Sequence, residues 1–407
     1  MRSPRLTFGA TVAVLLIGAL AALSATAGVA RATTAPGTRL WQKYVTSPAA
    51  GNDAETCIAK GPGGVIFEAG ALAGDAVFVA KYDRSGRRLW KRTWSGPDGI
   101  GAKVNAVKAD AAGNAIIAGG ADTLWVGQRD TYVRKYSPRG AVLWTYDSGL
   151  IREDFATCLE LGDAGFVYVG GVTTGFSSGA DYSVTRLYGD SGLSEWTATY
   201  AGPGPLGDND DVPWAMGLDA DGNAYLTGIS GASVAGEDEA ATVKVLSTGA
   251  VDWFRRVSSP TGKAQGMDLA IHKASGQTWV TGMWQDAGSK PEVLLVNYTS
   301  DGIPAASAFT SVYGTGSYGV AVTLDAAANV VVAWNSYGTT TAYMHGMVSK
   351  YDALGSFLWS KEYAAGDAAH TSLFQDVTTD GLGNIYVCGT SGVAPGTSRF
   401  FAAKYKR

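Results

Sequence analysis

One phrase recurs along this chain and constrains its fold more than any other feature: a lysine-led pair, usually lysine–tyrosine, a glycine turn and a tryptophan. It reads KYDRSGRRLW at residues 81–90 and returns as KYSPRGAVLW, KVLSTGAVDW and KYDALGSFLW. The phrase recurs about every 50 residues, the period of a repeat architecture. Its tryptophans are Trp41, Trp90, Trp144, Trp196, Trp253 and Trp359. A further copy, Gly302–Ala306, keeps the glycine and lacks the tryptophan, so we count seven units.

Each unit also contains a hairpin signature. DAAGNAIIAGG near residue 110 and LDADGNAYLTG near residue 218 place an Asp-x-x-Gly-Asn turn between two short apolar runs, which is typical of a β-hairpin. A third apolar run such as DAVFVAKYD follows, and then the tryptophan-bearing strand. Four short strands per unit predict an all-β fold, a seven-bladed β-propeller of four-stranded antiparallel blades. The tryptophan of each outermost strand is expected to lie between neighbouring blades.

The two ends of the chain together complete one copy of the phrase. The chain finishes in FFAAKYKR, and GTRLWQKY begins at Gly37. Read in that order, the two segments rebuild the lysine–tyrosine pair, the glycine and the tryptophan. We therefore predict a single propeller domain over residues 37–407, in which an N-terminal strand completes the C-terminal blade and removes an open sheet edge.

The first 32 residues are typical of a secretory signal peptide. Arg2 and Arg5 precede an apolar run, and a small-residue cleavage site ends at Ala32. A membrane anchor is the alternative, which the small-residue flank disfavours. Residues 33–36 then form a short linker. The predicted product is secreted, extracellular and monomeric, and it is not inserted in a membrane once the signal is removed.

The charge of the chain bears on its partners. The formal net charge is −4, and it becomes more negative when the signal peptide is removed with its arginines. Binding to a phosphate backbone requires a clustered basic surface, so nucleic acid is excluded as a partner. Hydrophobic residues make up 46% of the chain, which is enough for a substantial core.

The repeated unit resembles the bacterial β-propeller repeat called SBBP, in which a DxxGNxYVTG hairpin is followed by DAFVAKxDxxG. DADGNAYLTG and DAVFVAKYDRSG are the copies nearest to it, and the DxxGxxxW part is similar to the tryptophan-docking repeat of quinoprotein-like propellers. The resemblance covers nearly all of the chain after the signal peptide. Unit five departs from it, with Lys273 in place of the turn aspartate and Ala306 in place of the tryptophan. The resemblance implies the fold and secretion, and it implies no reaction.

Two acidic stretches raise the question of a calcium site. Asp219–Asn223 has its glycine at the wrong position for an EF-hand loop, and aspartate recurs at the same register in other units, so a hairpin turn is the preferred interpretation. Asp208–Asp211 concentrates carboxylates in one inter-blade loop, with a solvated loop as the alternative. The three histidines show no metal-ligand spacing. We predict no metal site and no cofactor.

The three cysteines allow two interpretations. Cys57 and Cys158 fall at one register, where other units have alanine, and are interpreted as small fillers near the axis. Cys388 lies on the second strand of the last blade, which neighbours the first blade. A disulfide between Cys57 and Cys388 is therefore conceivable, and the sequence leaves it open.

Candidate binding residues come from position in the fold. By analogy with other propellers, ligands meet the channel mouth and the loops that enter the first strand or join the second and third strands. The residues eight positions before each hairpin glycine are predicted to form the channel rim: Thr56, Asn105, Thr157, Trp214, Asp268, Val320 and Gln375. Loops on the same face carry Trp125, Arg129, Phe176, Trp284, Tyr337 and Tyr343. The selected candidates are Asn105, Trp125, Arg129, Trp214, Asp268, Trp284, Tyr337, Tyr343 and Gln375.

Two functions from different classes remain. Aromatic rings with a few polar groups suit a sugar or a peptide, although scattered surface aromatics are the alternative explanation. The first function is therefore a secreted binding or scaffolding module for a glycan, a peptide or a cell-surface partner. The second is an extracellular glycan-directed hydrolase or lyase at the channel mouth, which would need paired carboxylates or a carboxylate with a histidine. Its candidates are Asp154, Asp268, His370 and Asp376, and whether the protein is an enzyme stays open.

Overall fold

The structure, a computed structural model, describes most of the chain after the predicted signal and linker. The described residues are 54–72, 75–124, 128–149, 153–175, 179–202, 211–232, 237–285, 287–288, 290–310, 316–337, 343–363, 371–394 and 397–405. All of them fall within one compact unit, Trp41–Arg407. The predicted signal peptide, the linker and the N-terminal closing strand lie outside the described residues, as do Trp125, Phe176 and His370.

The described residues form seven antiparallel sheets in chain order. Sheet 1 consists of β1 (Ala54–Lys60), β2 (Ile66–Leu72), β3 (Ala76–Tyr82) and β4 (Arg88–Trp94). Sheet 2 consists of β5 (Ala102–Ala109), β6 (Ala115–Asp122), β7 (Arg129–Tyr136) and β8 (Val142–Asp147). Sheet 3 consists of β9 (Asp154–Leu161), β10 (Val167–Gly175), β11 (Gly179–Leu187) and β12 (Ser194–Tyr200). Sheet 4 consists of β13 (Val212–Leu218), β14 (Ala224–Gly231), β15 (Asp238–Val245) and β16 (Val251–Val257).

The remaining sheets follow the same plan. Sheet 5 consists of β17 (Ala264–His272), β18 (Gln277–Gln285), β19 (Pro291–Tyr298) and β20 (Pro304–Thr310). Sheet 6 consists of β21 (Ser317–Leu324), β22 (Val330–Tyr337), β23 (Met344–Tyr351) and β24 (Phe357–Tyr363). Sheet 7 has three described strands, β25 (Ser372–Thr379), β26 (Ile385–Ala394) and β27 (Thr397–Tyr405). A short 3-10 turn at Pro62–Gly64 interrupts the first hairpin.

Each sheet is an up-and-down meander, with its strands hydrogen-bonded in sequence order. The first strand of each sheet contacts the first strand of the next, from β1 and β5 through to β21 and β25. Successive sheets therefore stack in chain order with their first strands on the same side. Stacked four-stranded meanders of this kind are the blades of a propeller-type fold, and the predicted all-β class is confirmed.

The burial of the strands explains the apolar runs in the sequence. All residues of β6 from Ala115 to Ala121 are buried, so both of its faces are covered. The fourth strand is different, because β4 alternates exposed and half-buried residues. Apolar clusters join successive sheets, for example Phe67 and Val79 of sheet 1 with Val104 and Ile117 of sheet 2. The core is thus a series of interfaces between sheets.

The recurring lysine and tryptophan bind the same atom of the next sheet. In sheet 2, Trp144 Nε1 and Lys135 Nζ donate to the carbonyl of Gly189, at 3.1 and 2.7 Å. Equivalent pairs are Trp90 and Lys81 on Pro138, and Trp253 and Lys244 on Ser300. The acceptor lies in the turn of the next sheet, which confirms that the tryptophans are located between neighbouring blades. The repeated phrase is therefore a docking device that joins one blade to the next.

Candidate functional site

A β-bulge in the first strand determines where the predicted rim residues lie. In sheet 2 the pairing shifts between Val104 and Ala106, which leaves Asn105 as the bulged residue. The bulged residues of the next sheets are Thr157, Trp214, Met267, Val320 and Gln375. The predicted rim register is therefore a real structural feature in five of these six sheets. Sheet 5 is the exception among these six, because its bulge is at Met267 and not at Asp268. In sheet 1 the prediction is also wrong, because the pairing shifts between Ala54 and Thr56, so the bulge is at residue 55 and Thr56 pairs with Gly70.

The position predicted for Asp268 is wrong by one residue. Four residues separate His272 from its partner Gln277 in sheet 5, whereas three separate Asp110 from Asn114 in sheet 2. Counting back from the hairpin glycine therefore misses the bulge in sheet 5. Asp268 instead pairs with Thr281, which places it at a register that other sheets fill with small residues. That register holds Cys57, Ala106, Cys158, Ala215, Asp268, Ala321 and Asp376.

Asp268 and Asp376 bring two carboxylates to this otherwise small-residue register. The backbone N–H of Val322 donates to Asp268 Oδ2 at 2.8 Å. The pKa of Asp268 is raised to about 7, chiefly by burial and to a smaller extent by the negative charge of Asp376, and the backbone N–H groups of Val322 and Leu269 and the charge of Lys108 oppose this shift. Burial also raises the pKa of Asp376, and Lys108 again opposes the shift. A carboxyl group with a pKa near 7 can donate a proton at neutral pH.

Lys108 and Glu160 complete what we call the axial cluster, which consists of Lys108, Glu160, Asp268 and Asp376. Lys108 Nζ forms an ion pair with Glu160 Oε1, from sheet 2 to sheet 3. The four side chains come from the first strands of sheets 2, 3, 5 and 7. Asp376 is exposed to solvent, yet its surroundings desolvate it enough to raise its pKa.

Several predicted binding residues already have partners in the protein. Asn105 Nδ2 donates to the carbonyl of Ala156 at 2.7 Å, which joins sheets 2 and 3. Arg129 pairs with Asp122 at 3.2 Å. Trp284 is half-buried, and its Nε1 donates to the carbonyl of Ser258 at 3.0 Å. These contacts give all three side chains a structural role.

The other predicted binding residues are more open. Tyr337 is 43% exposed and Tyr343 is 40% exposed. They lie at the end of β22 and immediately before β23, where the second strand of sheet 6 passes to the third. Gln375 is exposed and Trp214 is half-buried, both at the bulge. Trp284 is the last residue but one of β18 and Arg129 begins β7, so these two residues lie at the same end of their sheets as the tyrosines.

The acidic turns have a structural explanation. Asp219 Oδ1 accepts the backbone N–H of Asn223 at 2.9 Å, and its Oδ2 accepts the side-chain amide of Asn223 at 2.8 Å. Gly222 follows the turn with φ of 76°, a conformation that glycine adopts without strain. Of the second acidic stretch, only Asp211 is described, and it is fully buried. No group of three or more potential metal ligands occurs within the described residues.

The cysteines are free thiols in the structure, so the conceivable Cys57–Cys388 disulfide is not formed there. Burial raises the pKa of Cys57 and of Cys158 to about 12, and it also raises the pKa of Cys388. All three thiols are therefore protonated at neutral pH and unsuited to act as nucleophiles. Among the described residues, no helix has the length and apolar character needed to span a membrane.

Comparison with known proteins finds only remote structural similarity. No protein-family model matches the sequence, and no curated protein matches it either. The WD40 domain of Toxoplasma gondii coronin is 10% identical, with a TM-score of 0.49 over 85% of this chain and 80% of that one. A puromycin hydrolase mutant is 13% identical, with a TM-score of 0.47 over 91% of this chain and 55% of that one.

PorZ, a surface component of the type-IX secretion system of Porphyromonas gingivalis, is 15% identical, with a TM-score of 0.43 over 83% of this chain and 50% of that one. The chain thus spans about half the length of the last two proteins. Identities and scores this low bear on no individual residue. The SBBP-type repeat stays a prediction from the sequence.

Proposed function

We propose that this protein is a secreted, seven-bladed β-propeller that acts as a binding or scaffolding module for a glycan, a peptide or a cell-surface partner. The proposal includes closure of the ring by the N-terminal strand beside β27. Closure is supported by the axial cluster, because one charge, that of Lys108, acts on both Asp268 and Asp376. Sheets 2, 5 and 7 are not successive, and charge interactions in water fade beyond about 10 Å. A ring brings these strands together around one axis.

The binding role is carried by the exposed tyrosines beside one turn. Tyr337 and Tyr343 lie on either side of the connection from β22 to β23, and each has about two-fifths of its surface exposed. Tyrosine offers a flat apolar ring and a hydroxyl group, which suits stacking on a sugar or peptide with a hydrogen bond at the edge. The half-buried ring of Trp284 lies at the same end of the neighbouring sheet.

A glycan and peptide array tests this role. The mature protein is expected to be retained by one ligand class, and the Tyr337→Ala and Tyr343→Ala variants are expected to lose about tenfold or more in affinity, as when a hot-spot aromatic is truncated. Phe357→Ala is the matched control, because Phe357 is 57% exposed on the outer strand of the same sheet. Equal retention of all three variants would exclude this face.

A second function, a glycan-directed hydrolase or lyase, is favoured by one observation. The pKa of Asp268 is raised to about 7 by burial, and the negative charge of Asp376 contributes to the shift. A protonated carboxyl with a second carboxylate nearby is the pair that acid–base cleavage of a glycosidic bond requires. In this candidate Asp268 is the acid and Asp376 is the base.

Release of reducing ends from a panel of polysaccharides tests the second candidate. Asp268→Asn and Asp376→Asn would each abolish an authentic activity, and Asp301→Asn, which removes an exposed carboxylate from a turn in sheet 5, would leave it intact. Ligand retention on the array without any product release would reject the enzyme and keep the binding module.

A further inference from the structure

A cavity of about 180 Å³ lies between sheets 2 and 3, away from the axial cluster and the exposed tyrosines. Seven of the eleven described residues that line it bear a hydroxyl group, and one, Asp154, bears a carboxylate. The hydroxyl-bearing residues are Thr131, Tyr146, Ser148, Thr173, Ser183, Thr185 and Thr197. Thr197 is exposed and Ser183 is half-buried, so the cavity can be reached from solvent. The volume equals about six water molecules, at about 30 Å³ each.

The cavity exists because three large side chains of the preceding interface have small counterparts here. Between sheets 1 and 2, Trp94 packs on Tyr132 with ring centroids 4.6 Å apart, and the Arg134 guanidinium lies 4.6 Å from the Trp94 ring. Those three residues, Trp94, Tyr132 and Arg134, correspond by strand pairing to Ser148, Ser183 and Thr185 of the next interface. At these three positions the interface between sheets 2 and 3 therefore lacks the indole, the phenol and the cation of the preceding interface.

Asp154 leaves one carboxylate oxygen open to this cavity. Its side chain is only 3% exposed. The backbone N–H of Thr131 donates to Oδ2 at 3.1 Å, whereas Oδ1 and the neighbouring Ser148 Oγ have no partner at hydrogen-bond geometry among the described residues. Burial raises the pKa of Asp154, and the nearby hydroxyl groups of Ser148 and Thr131 oppose that shift. A buried charged oxygen without a partner is costly, and a bound donor would remove that cost.

Other sheets show that the fold does not need this open oxygen. Asp211 occupies the same register in sheet 4, where the backbone N–H groups of Gly202 and Gly231 donate to its two oxygens. Ala102 and Ala264 occupy the register in sheets 2 and 5 without any carboxylate. Asp154 thus differs from these counterparts, because its Oδ1 faces a cavity and has no hydrogen-bond partner among the described residues.

Asp154 is the one carboxylate among the described residues that line the cavity, and none of these residues is a lysine or an arginine. A second carboxylate, that of Asp130, lies on the opposite face of β7, on the side of Tyr132 and Arg134, which pack on Trp94 of sheet 1. Burial, followed by the negative charges of Asp147, Asp154 and Asp98, raises the pKa of Asp130 to about 6. A cavity with a carboxylate and no cation in its lining favours a cationic occupant.

We propose that the cavity between sheets 2 and 3 is a binding site for a small organic cation headed by a guanidinium or ammonium group. The head group donates hydrogen bonds to Asp154 Oδ1 and to the surrounding hydroxyls, and it occupies the space that the Arg134 side chain fills at the preceding interface. This site is separate from the face that carries Tyr337 and Tyr343, so an experiment can reject either proposal without rejecting the other.

The test uses ethylguanidinium and butylammonium as probes, with N-ethylurea and butanol as neutral counterparts of similar size. Binding to the mature protein is measured by calorimetry and by the shift of the thermal midpoint. At least one cation is expected to bind and to raise the midpoint, and the neutral compounds are expected to do neither. Asp154→Asn should weaken cation binding by about tenfold or more, as expected for loss of a charge-assisted hydrogen bond. Asp301→Asn should have no effect.

A second variant keeps the test decisive if Asp154→Asn fails to fold. Thr185→Arg restores at this interface the cation found at position 134, so it should fill the cavity, abolish probe binding and raise the thermal midpoint without any ligand. Binding of the neutral compounds as tightly as the cations would overturn the proposal. So would unchanged cation binding in either variant, or no cation binding at all. Glycan or peptide retention should be the same in all these proteins.

Discussion

The carbonyl of Gly189 accepts two hydrogen bonds, and this predicts a specific energetic coupling between the two donors. Trp144 is 8% exposed and Lys135 is 9% exposed, and Gly189 is buried. If either donor is removed, the other still satisfies the carbonyl. If both are removed, a buried carbonyl is left without its two partners, which costs an additional amount of about 1–3 kcal/mol.

The single and double variants can be assigned approximate magnitudes. Trp144→Phe removes one hydrogen bond and part of a buried ring, and it should lower the free energy of unfolding by about 2 kcal/mol. Lys135→Met also removes the 3.0 Å ion pair with Asp110, and we expect a loss of about 1–2 kcal/mol. The loss of the Asp110 pair occurs in the single and in the double variant, so it cancels in the coupling term. The double variant should therefore be less stable than the sum of the singles by about 1 kcal/mol or more.

Urea unfolding followed by tryptophan fluorescence, with the slope compared between variants, measures these values. A control cycle pairs Trp144→Phe with Lys91→Met, because Lys91 belongs to β4 of sheet 1 and does not share the acceptor. That control should be additive within about 0.5 kcal/mol. If the Trp144 and Lys135 cycle is equally additive, the shared carbonyl does not join the blades in the way the geometry indicates.

Three further predictions address the pH dependence, the ring and the signal. The pKa of Asp268 is raised in the folded state, so this residue should make folding stability fall as the pH rises from about 4 to about 7, with no further change above that range; Asp268→Asn should reduce this dependence of the urea midpoint, the remainder coming from Asp376 and Asp130, and an unchanged profile would contradict it. Deletion of residues 37–45 should lower the thermal midpoint and promote association through the exposed edge of β27, and a deletion without effect in scanning calorimetry and light scattering would refute ring closure. Mass spectrometry of the secreted protein should find a new N-terminus after Ala32, and retention of the first 32 residues would reject the signal peptide.

The repeat made most of the fold predictable from sequence. Each copy encodes the same local events: an aspartate that binds its own turn, a glycine with positive φ, and apolar runs of strand length. Asp219 and Gly222 illustrate this, because their contacts lie within a few residues of each other. The docking tryptophans were predictable for the same reason, since a large ring recurring at one register must find the same wedge in every copy.

The candidate sites were less predictable. Asp268 was assigned to the wrong register because one extra turn residue in sheet 5 shifts the count from the hairpin glycine. Lys108 and Glu160 were missed because no local sequence feature distinguishes a charged residue that faces other sheets from one on a solvated strand. A register-by-register alignment of the repeats would have shown that Ser148, Ser183 and Thr185 stand where the preceding interface has larger residues. It would not have shown that these smaller side chains leave a cavity beside Asp154.

The sequence by itself therefore determined the strands, their order and the way each blade docks on the next, because these depend on contacts that are local or repeated. Only the tertiary structure decided which charges from different sheets act on each other and where the packing between sheets is incomplete. Those features arise where different copies face each other, so they depend on how two non-identical surfaces fit together.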